Sequence, residues 1–347
     1  MTTQRSDVNK AKSKKQSAMP TMSDVAKLAG VSQMTVSRVM RGTDYISDDV
    51  QRRVQQAALE LGYVHNRFKS GMDGYGNPLV GVIVPHLQNR VFTEIFTGIN
   101  DRLAQEGIRP VFGVSEYSTE TEEKIVYDLL SWRPRGLILT GLEHSPAVRQ
   151  IIKQTGVRVA EVMDTDGDPI SACFGVSHYS AGEEMARHMI DRGYRKFGYM
   201  ASQGGRDLRG NKRFEAFANY VHSAGGQIIE KRIADKGSSI KLGAQLAADM
   251  LGQSKRPEAI YCSNDDLAAG VLIHCMTNSI AMPDDVALAG FNGLSFLEAF
   301  PLRVTTTETP RYEMGYAAAN YIVSSSEEGE TDATVAFKQK IVIGDTT

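Results

Sequence analysis

From residue 79 to residue 292 the chain repeats one alternation, a short apolar run followed by a stretch with helical spacing. The apolar runs are "LVGVIVP", "VFGV", "GLILTG", "VRVAEVM", "CFGV", "KFGYMA", "AIYCSND" and "VALAGF". None alternates strictly with polar residues, so a strand built from it is covered on both faces. Between them lie segments such as "FTEIFTGINDRLAQEG", "TEEKIVYDLLSW", "AGEEMARHMIDRG" and "LGAQLAADMLG", which read as amphipathic helices. Repetition of this kind dictates parallel sheets sandwiched between helices, an α/β fold. The units are too many for one comfortable sheet. Two similar subdomains are therefore expected, with the chain crossing between them near residue 163 and again near 292–304. The stretch "DATVAFKQKIVIGDTT" reads as a final strand and a stub.

The front of the chain has a different texture. Residues 1–19 are polar, basic and aperiodic, and read as a disordered arm. Residues 20–65 read as an all-α head. Thr21, with Asp24 three residues on, makes an N-cap, and Val25, Leu28 and Ala29 form an apolar stripe. Gly30 stops that helix, as a residue tolerant of the left-handed region does. Ser32 caps a second helix over 33–40 whose buried side is Val36, Val39 and Met40. Ser47 caps a third, with Asp48 and Asp49 in its first turn and Val50, Val54, Ala57, Ala58 and Leu61 at helical spacing up to Gly62. Residues 66–78 form a hinge and linker, ending in the Gly-rich "GMDGYGNP". The core occupies 79–347.

Charge divides the chain at the same place. Residues 1–78 hold 12 Lys and Arg against 7 Asp and Glu, a net of +5, while the remainder carries −7. A basic front on an acidic body suggests that the front meets a polyanion; a solubilising tail would carry the same charge. The first two helices and the turn Gly30-Val31-Ser32 fit a helix-turn-helix module. Val25, Ala29, Val31, Val36 and Val39 would seal the pair, leaving Gln33, Met34, Thr35, Ser37 and Arg38 outward. Gln pairs bidentately with adenine and Arg with guanine O6 and N7, and Met34 suits a thymine methyl. Ser32, Thr35 and Ser37 can hold phosphates and set register. Thr21 and Asn66, at the two ends of the head, complete the candidate DNA contacts. A solvated helix in an ordinary bundle is the competing reading.

Beyond this pattern, "MSDVAKLAGVSQMTVSRVMRG" followed by "ISDDVQRRVQQAALELGYVHNR" resembles the N-terminus of the lactose/galactose-repressor family of bacterial transcription factors. The resemblance continues along the whole chain through "VGVIVPHLQNRVFTEIFTGI", "RFEAFANYVHSAG", "AIYCSNDDLAAG" and "PDDVALAGFNG", and is most similar to the gluconate-utilisation repressor branch. It implies a periplasmic-binding-protein-like, two-subdomain core behind the head and hinge. It implies base reading by residues 33, 34 and 38. It also implies a hinge helix at 66–72, whose last apolar residue, here Met72, wedges into the minor groove. Lys69 and Gly71 depart from the family pattern, and glycine weakens a helix by about 1 kcal/mol relative to alanine.

Two α/β subdomains leave a cleft at the carboxyl ends of their strands. Strand ends place Asn89, Phe92, Tyr117, Glu161, Asp164, Asn264 and Asn292 there, and Arg213 opens the helix after "SQGGRDLRGNK". By the resemblance, positions 213, 264 and 292 contact a bound effector, and Phe92 with the residues around Asn89 closes over it. Asparagines and an arginine suit hydroxyls and a carboxylate. Asn292 stands where many sugar-binding members have aspartate, which favours a sugar acid such as gluconate over a neutral sugar. Asn264-Asp265-Asp266 fits a helix cap equally well. A homodimer on a near-palindromic operator, with the effector controlling its affinity, is the implied mode of action.

Enzyme signatures do not occur. The chain has no GxGxxG after a strand, no GxxxxGK[ST], no HExxH, no CxxC and no GxSxG. No metal or cofactor is expected. His178 and His188 have no metal-ligand spacing, and Cys173, Cys262 and Cys275 are scattered; Cys262 and Cys275 lie in apolar stretches and read as buried thiols. A sugar-acid enzyme is the rival class, since α/β folds host both. With no hydrophobic segment behind the N-terminal charges and no membrane-length apolar run, a cytoplasmic protein is expected.

Overall fold

The computed structural model describes residues 20–42, 46–63, 77–87, 89–324 and 334–347. They divide into a small helical head and a larger α/β core. In the head, α1 (Met22–Ala29), α2 (Gln33–Arg41) and α3 (Asp48–Leu61) enclose Val25, Ala26, Ala29, Val36, Val54, Ala57 and Ala58. Local chemistry sets the ends. Thr21 and Asp24 form a reciprocal capping box, and Gly30 closes α1 in the left-handed region at φ 66°. The Arg53 guanidinium, held by Asp49 at 3.2 Å, donates to the Ala29 carbonyl that α1 leaves open.

Two expectations for the head need correction. Leu28 is exposed, and Ala26 takes the buried place beside Val25; the contact face of so short a helix is set by the position of α3. Ser47 stands at the N-cap of α3 with its hydroxyl making no cap bond.

The core contains two six-stranded sheets. The first runs β11-β5-β4-β3-β1-β2 and the second β12-β10-β9-β8-β6-β7. The first-lobe strands are β1 (Asn77–Val84), β2 (Arg109–Val114), β3 (Pro134–Thr140), β4 (Arg158–Val162), β5 (Ala172–Gly175) and β11 (Thr334–Ala336). All five of their pairings are parallel. Its helices include α4 (Val91–Ala104), α5 (Thr119–Leu130) and α11 (Arg311–Val323), with α6 (Pro146–Thr155) between β3 and β4. Helices α4 and α11 pack on each other over a core of Val80, Val82, Ile95, Ile99, Ile138 and Ile322.

The second lobe holds β6 (Lys196–Ala201), β7 (Gln227–Ile233), β8 (Ala259–Cys262), β9 (Ala287–Asn292), β10 (Thr305–Glu308) and β12 (Lys340–Val342). On one face lie α7 (His178–Asp191) and α8 (Leu208–Ser223), around Phe197, Phe217 and Tyr261. On the other lie α9 (Ile240–Leu251) and α10 (Asp265–Thr277), around Met250, Leu267 and Leu288. Among the described residues only β12 pairs antiparallel, against β10. Cys173, Cys262 and Cys275 are buried free thiols.

The chain changes lobes later than the sequence suggested. Strand β5 pairs with β4 in the first sheet, so the first crossing falls between Gly175 and His178 rather than near 163. Strand β10 pairs with β9 in the second sheet, so the return falls between Glu308 and Arg311 rather than at 292–304. The last segment is two strands, not one: β11 joins the first sheet and β12 the second, which makes a third crossing.

Candidate functional site

Helix α2 begins at Ser32, whose hydroxyl accepts from the Thr35 amide at 3.1 Å and lies 2.8 Å from the Thr35 hydroxyl. That cap fixes how the rest of the helix faces. Val36 is fully buried against α1 and α3, while Gln33, Met34 and Arg38 are exposed. Met34, at 66% exposure, is the most exposed large apolar side chain among the described residues. Thr35 and Ser37 are half-buried. Thr21 is exposed, with its hydroxyl donating to Asp24 at 2.6 Å. Gln33, Met34 and Arg38 are thus all open to solvent on the helix that the Ser32 cap begins. Asn66, Met72, the basic arm and most of the hinge lie outside the described residues.

Between the lobes of the core is a cavity of about 690 Å³. Six of the eight candidate residues line it: Asn89, Phe92 and Tyr117 from the first lobe, Arg213, Asn264 and Asn292 from the second. The Asn89 carboxamide caps α4 by accepting from Val91 N–H at 3.1 Å. Asn264 caps α10, with its Oδ1 accepting from Leu267 N–H at 3.1 Å and from the Ser238 hydroxyl at 2.7 Å. The cap and the cleft readings of Asn264 therefore hold together. Asn292 ends β9 at φ 120°, outside the usual regions, with its carbonyl held by the Arg311 guanidinium. Burial, reinforced by the Asp207 charge, pushes the Tyr117 phenol up to about 12, so it stays a hydrogen-bond donor.

Glu161 and Asp164 are not cleft residues; both are fully buried behind it. Glu161 accepts from the Ile170 amide at 2.7 Å and lies 3.3 Å from His144 Nε2. Asp164 pairs with Lys212 Nζ at 2.6 Å, and Lys212 also reaches Glu143 at 2.6 Å. Glu161 lies on β4 and Asp164 two residues past its end, and buried carboxylates of this kind are held by partners. Arg213 lies in the second turn of α8 rather than opening it.

Arg213 is the chemical centre of the cleft. It is 4% exposed. One terminal nitrogen donates to His178 Nδ1 at 2.9 Å and the other to the Ser263 carbonyl at 2.8 Å. Its guanidinium carbon stands 3.7 Å from the Phe291 ring centroid. Its Nε has no partner. Every one of these neighbours is neutral, and among the described residues no carboxylate lies within ion-pair distance of it. Burial, then the Arg213 charge, hold the His178 imidazole well below its ordinary value, hence uncharged. Around the cleft wall Arg90, Arg209, Arg213 and Lys241 outnumber the carboxylates Asp207 and Asp266.

His178, Ser263 and Phe291 line the cleft as well and went unnoticed as cleft residues in the sequence. His178 carries the same signal as the asparagines, a polar residue at a strand-to-helix junction.

A helix-turn-helix head on a two-lobed α/β core with a polar cleft is the architecture of a DNA-binding regulator. Residues 21–66 match the family model for bacterial regulatory proteins of the lacI family. Residues 77–340 match the model for periplasmic binding proteins and the sugar binding domain of the LacI family. The chain belongs to the LacI family and is a DNA-binding transcriptional regulator, not an enzyme. It is 33% identical to the HTH-type transcriptional regulator GntR of Pseudomonas aeruginosa, over 88% of this chain and 89% of that protein. It is 28% identical to the HTH-type transcriptional regulator IdnR of Escherichia coli K12, over 94% and 98%. A LacI-family transcriptional regulator from Silicibacter pomeroyi superposes with a TM-score of 0.76 at 40% identity, covering 94% of this chain and 99% of that one. The lac repressor dimer bound to operator shares the fold, with a TM-score of 0.71 at 22% identity over 95% and 99%. Among the described residues no helix is long and apolar enough to cross a membrane.

Proposed function

We propose that the chain is a repressor of sugar-acid catabolic genes whose operator affinity is set by a sugar acid, gluconate or a close relative, bound between the lobes. The observation that carries this reading is Arg213: a buried guanidinium with an unpaired Nε and neutral neighbours. Holding a buried charge without a counter-ion is unfavourable, and a ligand carboxylate supplies the counter-ion and the missing acceptor together. Asn89, Asn264 and Asn292 supply carboxamides for the hydroxyls of an open-chain or ring sugar acid. The resemblance to the gluconate-utilisation branch, and the relatives named GntR and IdnR, point the same way.

In this reading two copies form a homodimer whose heads take the half-sites of a near-palindromic operator. Gln33, Met34 and Arg38 read bases, Thr21, Ser32, Thr35, Ser37 and Asn66 hold the backbone, and Met72 wedges the central step. The effector binds one arrangement of the lobes better than the other and so shifts the population. Calorimetric titration of the chain with gluconate and with glucose tests the ligand class. A hydrogen bond to a charged group contributes about 1.5–3 kcal/mol, so gluconate is expected to bind at least about tenfold more tightly. Equal binding of the two overturns the sugar-acid assignment.

A further inference from the structure

We propose that His178 is a positioning residue for the effector: its neutral imidazole orients Arg213 on one side and ties it, on the other, to the exit of β4 in the opposite lobe. The proposal rests on the reading of Arg213 as the carboxylate receptor. His178 is the first residue of α7, just past the first crossing, and is 1% exposed. Its two ring nitrogens have separate tasks. Nδ1 accepts from Arg213 Nη1 at 2.9 Å, and Nε2 donates to the Met163 carbonyl at 2.8 Å. Only the neutral ring with its proton on Nε2 satisfies both, because a proton on Nδ1 would face a guanidinium.

The groups around the ring agree with that state. From α8 it faces the cations Arg213, Arg209 and Lys212, from β9 the uncharged Phe291 ring at 5.9 Å, and from the end of β4 a carbonyl. Asp164, the next residue along, is already taken by Lys212. Met163 itself sits at φ 80°, a region that a non-glycine side chain occupies only when neighbours hold it there. Met163 lines the cleft of the first lobe and Arg213 that of the second. One imidazole therefore connects the atom that would meet the ligand to a strained turn across the cleft.

Two substitutions separate the two tasks. An asparagine amide occupies the place of Nδ1, and a glutamine amide the place of Nε2. His178→Asn keeps an acceptor for Arg213 and loses the tie to Met163; His178→Gln does the reverse. Gluconate binding to the full chain, measured by calorimetry, is expected to weaken about tenfold or more in His178→Gln and to stay within about threefold in His178→Asn. The factor by which gluconate changes operator affinity is expected to shrink about tenfold in His178→Asn, since coupling needs a contact that differs between states. Operator binding by the effector-free variants serves as the folding control. Equal gluconate affinity in wild type and His178→Gln, or undiminished coupling in His178→Asn, overturns the proposal.

A ligand-free readout keeps the two readings apart. Nitrogen-15 spectra of labelled histidine, with the His178 signal assigned from its absence in His178→Asn, are expected to show the Nε2–H tautomer unchanged from pH 8 to about pH 5.5. Titration of that signal near the ordinary value of 6.5 overturns the positioning role. Failure of wild type to bind any sugar acid removes the proposed effector and leaves this spectrum to decide the geometry.

Discussion

Arg213 is held in place by the fit of two helices, and one substitution tests that fit. A Cβ added at Gly182 of α7 would lie 2.1 Å from the Arg213 carbonyl oxygen of α8, where ordinary contact begins at 3.4 Å. Both partners are backbone, so neither can swing aside, and the helices must part by about 1.3 Å, the difference between those distances. The Arg213–His178 bond, 2.9 Å at the start and spanning the same two helices one turn away, would stretch past the ~3.5 Å limit of a useful hydrogen bond. Gly182→Ala is therefore expected to destabilise the core by about 1–3 kcal/mol through overpacking. It is also expected to weaken gluconate binding by about tenfold, the loss of one hydrogen bond to a charged group. Denaturant unfolding and calorimetric titration of the full chain measure the two effects. A variant with wild-type midpoint and wild-type gluconate affinity would show that the α7–α8 contact does not set Arg213, and would refute the reasoning.

Other perturbations have equally definite outcomes. Arg38→Ala should weaken operator binding by about 1–3 kcal/mol, with the loss confined to one base position in a panel of mutated duplexes. Ser32→Ala should lower the stability of the head by about 1 kcal/mol while Ser47→Ala, whose hydroxyl makes no cap bond, changes it little; melting of the two variants followed by circular dichroism compares them. Lys212→Met strands the buried Asp164 carboxylate and should destabilise the core by about 3–5 kcal/mol, with part of the loss recovered by Asp164→Asn in the double variant. His144 gives a pH signature. Burial alone would depress it, but hydrogen bonds to Glu122 and then Glu161 outweigh that and raise it to about 9. Its folded value lies above its unfolded one, so its contribution, of order 3 kcal/mol, is full below pH 6.5 and fades as pH rises toward 9. Urea midpoints across that range should fall in wild type and flatten in His144→Gln.

What could be read from the sequence was local chemistry and period. The capping box of Thr21 and Asp24, the left-handed stop at Gly30 and the Ser32 cap each depend on residues within one turn. Seven of the eight apolar runs became strands inside the two sheets, where both faces are covered, while "VFGV" lies in β2 at a sheet edge and is only partly buried. What could not be read depends on partners distant in sequence. Strand β10 is "TTTE", polar by composition, yet Thr305 and Thr306 are buried because Thr347 and Asp265 satisfy their hydroxyls. Strand β7 carries Glu230, Lys231 and Arg232 at a sheet edge, where one side of a strand meets water. The crossings were misplaced because only pairing decides that β5 stays with β4 and β10 with β9. Glu161 and Asp164 stood at a strand end like the true cleft residues, but His144 and Lys212 draw them behind it. His178 was hidden because its role exists only once Arg213 and Met163 flank it.

The most direct test of the account is a fluorescence-anisotropy titration of the full chain on duplexes from its own upstream DNA, at about 0.15 M salt, with and without gluconate. The account predicts binding to one site at least about a thousandfold tighter than to random duplex, and a gluconate-dependent change in that affinity of about tenfold or more that glucose does not produce. Identical curves with and without every sugar acid tried, or no preference for any upstream duplex over random sequence, would contradict it.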